Sequence, residues 1–313
     1  MFEYTTELIV DLYYNHDMSQ QEIAKYLNTS KMNVSRMMQK AKTAHIVETK
    51  VHLPFQLDAP LCRQLEKKYG LKNAYVVSSK QKKNSDLCTF LGSVAAYYLT
   101  TARPNGKVFG MGVGNTVGKV AEHIPMLTTK QVKVVQLMGG LTQVNSGNPF
   151  SITQETCRRL SAEGAFVTSY AIVEDPAMKD MILKNEIQQK GIYSLWEQCD
   201  EAYFGIGAIE SGTFFAESLN KEQIEKIRQL GAVGDVLGHC FNEKGEFITT
   251  FLEDSLVSIP IELLYKIPKR IAVAGGLPKK QAIVSVLSSR IITDLFIDKE
   301  TAEAILNYDS QAC

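Results

Sequence analysis

Apolar residues recur every three to four positions through the first forty residues, a period that predicts short amphipathic helices. Leu8, Ile9, Leu12 and Tyr13 form one stripe, and Ile23, Ala24 and Leu27 form a second. Val34, Met37, Met38 and Ala41 form a third, at i, i+3, i+4 and i+7. The polar residues between the stripes punctuate them. Ser19 is a good N-cap, and Glu22 three positions on completes a capping box that satisfies two orphan amides. Asn28-Thr29-Ser30 breaks the pattern with side chains that bond their own backbone, and Ser30 is placed to cap a second helix over 31–41. Two short helices around a tight polar turn spell a helix-turn-helix.

The face left over by the third stripe is polar and basic. Ser30, Lys31, Met32, Asn33, Ser35, Arg36 and Lys40 remain on it or at its start. In such a motif the outward residues near the beginning of the second helix reach base edges in the major groove, where Asn can bond adenine and Arg or Lys can bond guanine. These seven are the candidate DNA-binding residues. Between Lys25 and Lys50 six cations stand against one anion, Glu48, although the 313-residue chain carries no net charge overall. That asymmetry suits a phosphate backbone. The plainer alternative is a helical hairpin with a solvated charged face, but cap, turn, apolar register and basic face coincide here and favour operator DNA as the partner.

Beyond residue 53 the pattern changes. Positions 47–53 read as a short strand or wing, and the break from Pro54 to Pro60 reads as a linker. The expected division is a helix-turn-helix domain over 1–53, a linker over 54–60 and a larger domain over 61–313. Helical periodicity covers 61–69, with Gly70 as its stop, then 87–99, 152–162, 221–230, 281–287 and 299–306. Strand-like apolar runs cover 74–77, 107–111, 132–137, 165–168, 201–206, 270–274 and 292–297. Strands alternating with helices imply right-handed crossovers and a mainly parallel sheet covered on both faces, a doubly wound α/β fold.

Composition narrows the class further. At 45% hydrophobic residues the chain can fill a packed interior. No run of about 18 apolar residues and no basic-then-apolar leader occurs, so no membrane span or secretory signal is expected and the chain reads as cytoplasmic. Six cysteines are scattered without Cys-x-x-Cys spacing, which predicts reduced, mostly buried thiols rather than a disulfide framework or a metal site. No cofactor is indicated.

In a parallel sheet, ligands bind beyond the carboxyl ends of the strands, so glycines there are the positions to inspect. Gly110-Met111-Gly112-Val113-Gly114-Asn115-Thr116 ends a strand and opens a helix, where bare amides suit a phosphate. No Gly-Lys-Ser/Thr follows, so this is not a Walker loop, and its spacing fits a dinucleotide fingerprint poorly. Gly139-Gly140, Gly205-Ile206-Gly207 and Gly275-Gly276 repeat the theme, and all four loops could converge on one pocket. Lys279, at a helix start, offers a cation to a phosphate. Asp235 follows a flexible Gly231-Ala232-Val233-Gly234 turn, where its carboxylate either accepts from sugar hydroxyls or caps local backbone.

Several of these segments together resemble the SorC family of bacterial transcription regulators, which has sugar-responsive and deoxynucleoside-responsive members. The resemblance rests on Tyr13-Tyr14, Ser19-Gln20-Gln21-Glu22-Ile23-Ala24, Val34-Ser35-Arg36-Met37-Met38, Ala41-Lys42 and Ile46-Val47, and on the loops at Gly110–Thr116, Gly139-Gly140, Gly231–Asp235 and Val273–Gly276 with Lys279. It implies a sugar-isomerase-like or deaminase-like effector domain that binds a phosphorylated sugar, a homodimer or homotetramer, and control of carbohydrate uptake or catabolism genes. Carried over by motif position, the effector-binding residues are Gly112, Gly114, Asn115, Thr116, Gly139, Gly140, Asp235 and Lys279. Met138 precedes Gly139-Gly140, so no lysine is available there to form an imine and a non-covalent ligand is expected. A nucleoside-derived or signalling sugar would fit the same frame. The competing reading is a sugar-phosphate isomerase or deaminase-like enzyme with a DNA-binding head, Asp235 acting as general base and Lys279 holding the phosphate. Against it, the glycine loops carry no adjacent histidine or second carboxylate, and His123 and His239 read as surface or helix-end residues.

Overall fold

The computed structural model describes residues 6–44, 46–47, 55–78, 87–101, 104–142, 145, 147–184, 189–210 and 213–308. The chain divides into two compact units, Met1–Pro54 and Phe55–Cys313.

The first unit is a three-helix head: α1 (Thr6–Tyr14), α2 (Gln20–Tyr26) and α3 (Lys31–Thr43). The capping box forms, with the Glu22 amide donating to the Ser19 hydroxyl at 3.3 Å and the Ser19 amide donating to the Glu22 carboxylate at 2.8 Å. The turn works because Asn28 takes a left-handed conformation, φ 51°, which asparagine tolerates better than most residues. The Thr29 amide then donates back to the Ala24 carbonyl at 2.8 Å, and the Asn33 amide donates to the Ser30 hydroxyl at 3.1 Å to start α3. Ile9, Ile23, Ala24, Leu27, Val34 and Met38 close over one another as the core of this unit. α3 runs two residues past its expected end. Of the strand or wing expected over 47–53, only Val47 is among the described residues, and it lies in a bend.

The second unit begins earlier than expected. β1 (Gln56–Leu57) pairs antiparallel with β2 (Asn73–Ser78), and α4 (Ala59–Tyr69) lies between them. The segment read as a linker over 54–60 is therefore bound into the fold from Phe55 onward. Pro60 stands in the first turn of α4, where a missing N–H costs nothing, and Asp58 caps that turn by accepting from the Leu61 amide at 3.2 Å.

The chain continues as α5 (Leu87–Thr101), β3 (Val108–Met111), α6 (Asn115–His123), β4 (Lys133–Gln136), α7 (Pro149–Leu160), β5 (Glu163–Ala165), α8 (Pro176–Lys184) and β6 (Glu201–Phe204). After these come β7 (Gly207–Ala208), β8 (Ala232–Val236), β9 (His239–Asn242), β10 (Lys269–Val273) and β11 (Asp294–Asp298). Further helices include Thr213–Ser218, Lys221–Gln229, Lys280–Ser288 and Lys299–Leu306. The main sheet has the order β1-β2-β11-β10-β6-β3-β4-β5, and every pairing except β1 with β2 is parallel.

Side chains along the strands alternate between two cores, which places helices on both faces. Ile271 and Val273 of β10 join Val94, Val120 and Ile152 of α5, α6 and α7, whereas Ala272 and Ala274 join Leu65 of α4 and Ile283 and Ile305 of the later helices. This is the doubly wound α/β architecture. β5 starts two residues earlier than expected. The sequence pattern also missed a small antiparallel sheet, β7-β8-β9, in which Asp235 is a strand residue and not the end of a flexible turn. Among the described residues no helix is long and apolar enough to cross a membrane.

Candidate functional site

The sheet order reverses between β3 and β6. From β3 the chain proceeds outward to β4 and β5, and from β6 it proceeds the other way through β10 to β11. Loops leaving β3 and β6 at this point diverge and open a crevice beyond the strand ends, the usual ligand position in an open α/β sheet. A cavity of about 140 Å³ lies there, lined by Val113–Thr116 after β3, Gly205–Gly207 after β6, and by Cys88, Phe214, Asp235 and Lys279.

Of the expected effector residues, the fold brings Gly114, Asn115, Thr116, Asp235 and Lys279 together around this cavity. α6 begins here without a side-chain cap, so the first-turn amides beyond Gly114 keep their orphan character and aim a partial positive charge at the space. Gly114 itself is the N-cap at φ 117°, and its amide is already engaged, donating to the Gly147 carbonyl at 3.0 Å. Gly112 lies outside the lining. Its amide donates to the Tyr203 carbonyl at 2.8 Å and extends the β3–β6 pairing, and a Cβ there would stand 2.7 Å from Leu237 Cδ2. Gly139 and Gly140 also fall outside the lining, a departure from the expectation. The Gly139 amide donates to Val257 and the Gly140 amide to Ser169, both at 2.8 Å, and a Cβ on Gly139 would meet the Tyr170 carbonyl carbon and oxygen at 2.4 Å. Gly139 lets backbones approach closely, whereas at Gly140 a Cβ would meet nothing nearer than 3.8 Å; in both the amide is engaged within the protein.

Asp235 is the most constrained group in the site. It is 2% exposed, and burial pushes its carboxyl up to about 6 against the opposing influence of the Gly238 amide, Lys279 and His239. One oxygen accepts from the Gly238 amide at 2.9 Å; the other, Oδ1, is buried and has no protein partner. It can lie there because its register partner is Gly207, where a Cβ would sit 1.9 Å from Oδ1. Lys279 is half-buried, and its ammonium donates to the Ile206 carbonyl at 2.9 Å across the cavity wall. Burial lowers its pKa, while Cys88 and Asp235 act the other way. The site thus has an anion-seeking end, made of Lys279 and the start of α6, and a hydroxyl-seeking carboxylate. Gly207→Ala is expected to displace the Asp235 carboxylate and cost about 1–3 kcal/mol of stability through overpacking; thermal unfolding checks this, and an unchanged midpoint would show that the carboxylate rotates away freely.

Cys88, Val113, Gly205, Ile206, Gly207 and Phe214 complete the lining and escaped the list of expected site residues. Gly205-Ile206-Gly207 was visible as a glycine loop after a strand, but nothing local in the sequence marks Phe214. His239 differs from its expected surface position: it lies in β9, with Nε2 2.9 Å from the Ile259 carbonyl and Nδ1 3.9 Å from the Glu253 carboxylate. His123 closes α6 and is exposed, as expected. Cys62, Cys199 and Cys240 are buried, and none of the five described cysteines is in a disulfide. Among the described residues no cluster of metal-ligating side chains occurs.

In the head, Lys31, Met32, Ser35, Arg36 and Lys40 stand exposed along the outer face of α3. Met32 is 81% exposed, a large apolar side chain in the first turn of this face. Asn33 is half-buried: it donates to the Thr29 hydroxyl at 3.0 Å and accepts from Arg36 at 2.9 Å. The Ser30 hydroxyl is engaged as the cap of α3.

A larger α/β unit with a crevice at its switch point and a helix-turn-helix head on one chain define the class of metabolite-linked DNA-binding regulators. Residues 54–307 match the family described as "Putative sugar-binding domain", and residues 6–43 match sigma-70 region 4, a helix-turn-helix module. The chain is 30% identical over 300 residues to the deoxyribonucleoside regulator of Bacillus subtilis, covering 95% of each protein. It is 27% identical to the sorbitol operon regulator of Klebsiella pneumoniae, over 95% of this chain and 96% of that one. The crystal structure of the full-length Klebsiella pneumoniae regulator SorC superposes with a TM-score of 0.75 at 25% identity, covering 96% of this chain and 98% of that one. The chain belongs to the SorC family of sugar-binding transcription regulators. It is a regulator and not an enzyme, which sets aside the isomerase or deaminase alternative.

Proposed function

We propose that the chain binds operator DNA through α3 and that a phosphorylated sugar, held in the cavity at the β3–β6 switch point, controls that binding. The observation that carries this reading is the meeting of Asn115 and Thr116, at an uncapped helix start, with Lys279 and the buried, half-satisfied Asp235 around one small space. The phosphate sits at the α6 end beside Lys279, and sugar hydroxyls donate to Asp235 Oδ1. A cavity of about 140 Å³ is well below the roughly 300–1,000 Å³ of sites for larger ligands, which favours one monosaccharide unit over a disaccharide. The regulated genes serve carbohydrate uptake or catabolism, and the protein works in the cytoplasm as a homodimer or homotetramer.

Control follows from geometry. Two recognition helices occupy successive major grooves only at about 34 Å of separation. A ligand that favours one arrangement of the larger units changes operator affinity by its differential binding to the two arrangements, typically about 1–3 kcal/mol. Arg36→Ala is expected to weaken operator binding about 5- to 100-fold, the range for losing one base or phosphate contact, with sugar-phosphate binding intact. Parallel DNA anisotropy and ligand calorimetry test this. Equal loss of both activities would point to misfolding and remove Arg36 from the interface.

A further inference from the structure

A second cavity, of about 320 Å³, lies against β9. Among the described residues none lines both it and the cavity at the switch point, but the strands they touch are paired: Asp235 of β8, in the first lining, is the register partner of Cys240 of β9, in the second. Its volume falls within the roughly 300–1,000 Å³ of small-molecule sites, and its lining has the make-up of one, with apolar side chains such as Leu183 and Phe247 around a few polar groups. Three of those groups are fixed by their neighbours. His239 Nε2 stands 2.9 Å from the Ile259 carbonyl, an oxygen that only accepts, so Nε2 carries hydrogen. Nδ1 is left 3.9 Å from a Glu253 carboxylate oxygen, too far for a direct hydrogen bond. The same imidazole outweighs burial and holds the Glu253 carboxyl below the ordinary carboxylate value, so that carboxyl is ionised at neutral pH and only accepts. The Lys179 ammonium donates to the Glu253 backbone carbonyl, which anchors it at the lining with further donors to spare.

An ammonium that donates, a carboxylate that accepts and an imidazole nitrogen between them are matched by a group that both donates and accepts, and a hydroxyl does both. One hydroxyl can bridge the gap between His239 Nδ1 and Glu253, and the Phe247 ring offers an apolar wall to the C–H face of the molecule that carries it. Charge narrows the class. Glu253 and Glu262 set two carboxylates against the single ammonium of Lys179, which opposes a phosphate or a sugar acid, while Lys179 itself opposes an amine. We propose that this cavity is a second small-molecule site, which takes a neutral polyhydroxylated ligand, an unphosphorylated sugar or polyol, on Glu253, His239 and Lys179. The proposal stands independently of what the switch-point cavity binds.

The experiment is calorimetry of the full-length protein with four neutral probes, glucose, ribose, glucitol and ribitol, and with glucosamine and gluconate as cationic and anionic counterparts. At least one neutral probe is expected to bind at up to millimolar concentration, and both charged probes at least tenfold more weakly than the best neutral one. Glu253→Gln, which keeps the backbone carbonyl that Lys179 contacts and removes the carboxylate charge, is expected to weaken that binding about tenfold or more. Leu183→Trp, which fills the cavity, is expected to abolish it, and it decides the matter should thermal unfolding show that Glu253→Gln does not fold. Lys279→Ala, at the other cavity, is expected to bind the neutral probe within twofold of the wild type. Failure of every neutral probe to bind, a preference for the amine or the acid, or binding retained in folded Glu253→Gln or in Leu183→Trp would overturn the assignment. Loss of binding in Lys279→Ala would place the probe in the switch-point cavity and overturn it as well.

Discussion

Lys279→Ala is expected to lower the affinity for a sugar phosphate by about 10- to 150-fold while operator binding by the unliganded protein stays as it was. A hydrogen bond to a charged group is worth about 1.5–3 kcal/mol, and that range corresponds to the stated loss. The side chain is well placed for the role because its hydrogen bond to the Ile206 carbonyl already holds the ammonium at the cavity wall. Little rotamer freedom then remains to be lost when the phosphate arrives. Lys279→Arg is expected to recover only part of the affinity, since a planar guanidinium does not substitute for a point charge in a space this small. Calorimetry on the two variants checks both statements, and unchanged ligand affinity in Lys279→Ala would remove this residue from the site.

Glu201→Ala is expected to destabilise the larger unit by about 3 kcal/mol, with no direct effect on ligand or DNA contacts. The carboxylate is 3% exposed at the start of β6, and it accepts from Lys107 at 2.5 Å, Lys269 at 3.1 Å and the Tyr203 hydroxyl at 3.1 Å. Removing one partner of a buried ionic cluster costs about 3–5 kcal/mol, and partial exposure of the two lysines places this case at the low end. Burial pushes the Glu201 carboxyl up, but the two ammonium groups outweigh it and hold it below the ordinary value. A group with a depressed folded pKa contributes stability above its unfolded value, about 4.3, and loses it as pH falls through the folded value. The wild type is therefore expected to lose stability below about pH 4–5 more steeply than Glu201→Ala. Denaturant melts at neutral and acid pH test this, and parallel losses in both proteins would show that the cluster does not titrate on unfolding.

The head was legible almost residue by residue because its determinants are local. A cap at Ser19, an asparagine that accepts a left-handed turn at Asn28 and apolar residues at helical spacing act within a few positions of one another. The parallel sheet was legible for a related reason: strands buried on both faces are nearly continuous apolar runs, as in Ile271–Ala274 and Leu295–Ile297. The β7-β8-β9 sheet was not, since β7 has only two residues, and Gly231 before β8 and Gly234 within it look like turn residues until the strand's partners are known. Pro60 is ambiguous for a local reason: a proline that ends a linker and one that opens a helix look alike in sequence.

The effector loops show the same limit. That Gly114, Asn115 and Thr116 open a helix after a strand could be read locally, and so could the lysine after Gly275-Gly276. Whether an amide in those loops remains available depends on which distant carbonyl reaches it. Tyr203 takes the Gly112 amide, Gly147 takes that of Gly114, and Val257 and Ser169 take those of Gly139 and Gly140. The unpartnered oxygen of Asp235 is likewise a product of tertiary register, created by its pairing with Gly207.

Fluorescence anisotropy of the promoter region beside this chain's own gene, at fixed salt, with and without a panel of sugar phosphates, joins the two halves of the account in one readout. At least one sugar phosphate is expected to shift operator affinity of the wild type by about 5- to 150-fold, corresponding to about 1–3 kcal/mol of coupling, and to leave Lys279→Ala unmoved at the same concentration. Tight, specific DNA binding that no sugar phosphate alters, or a shift of equal size in Lys279→Ala, would contradict it.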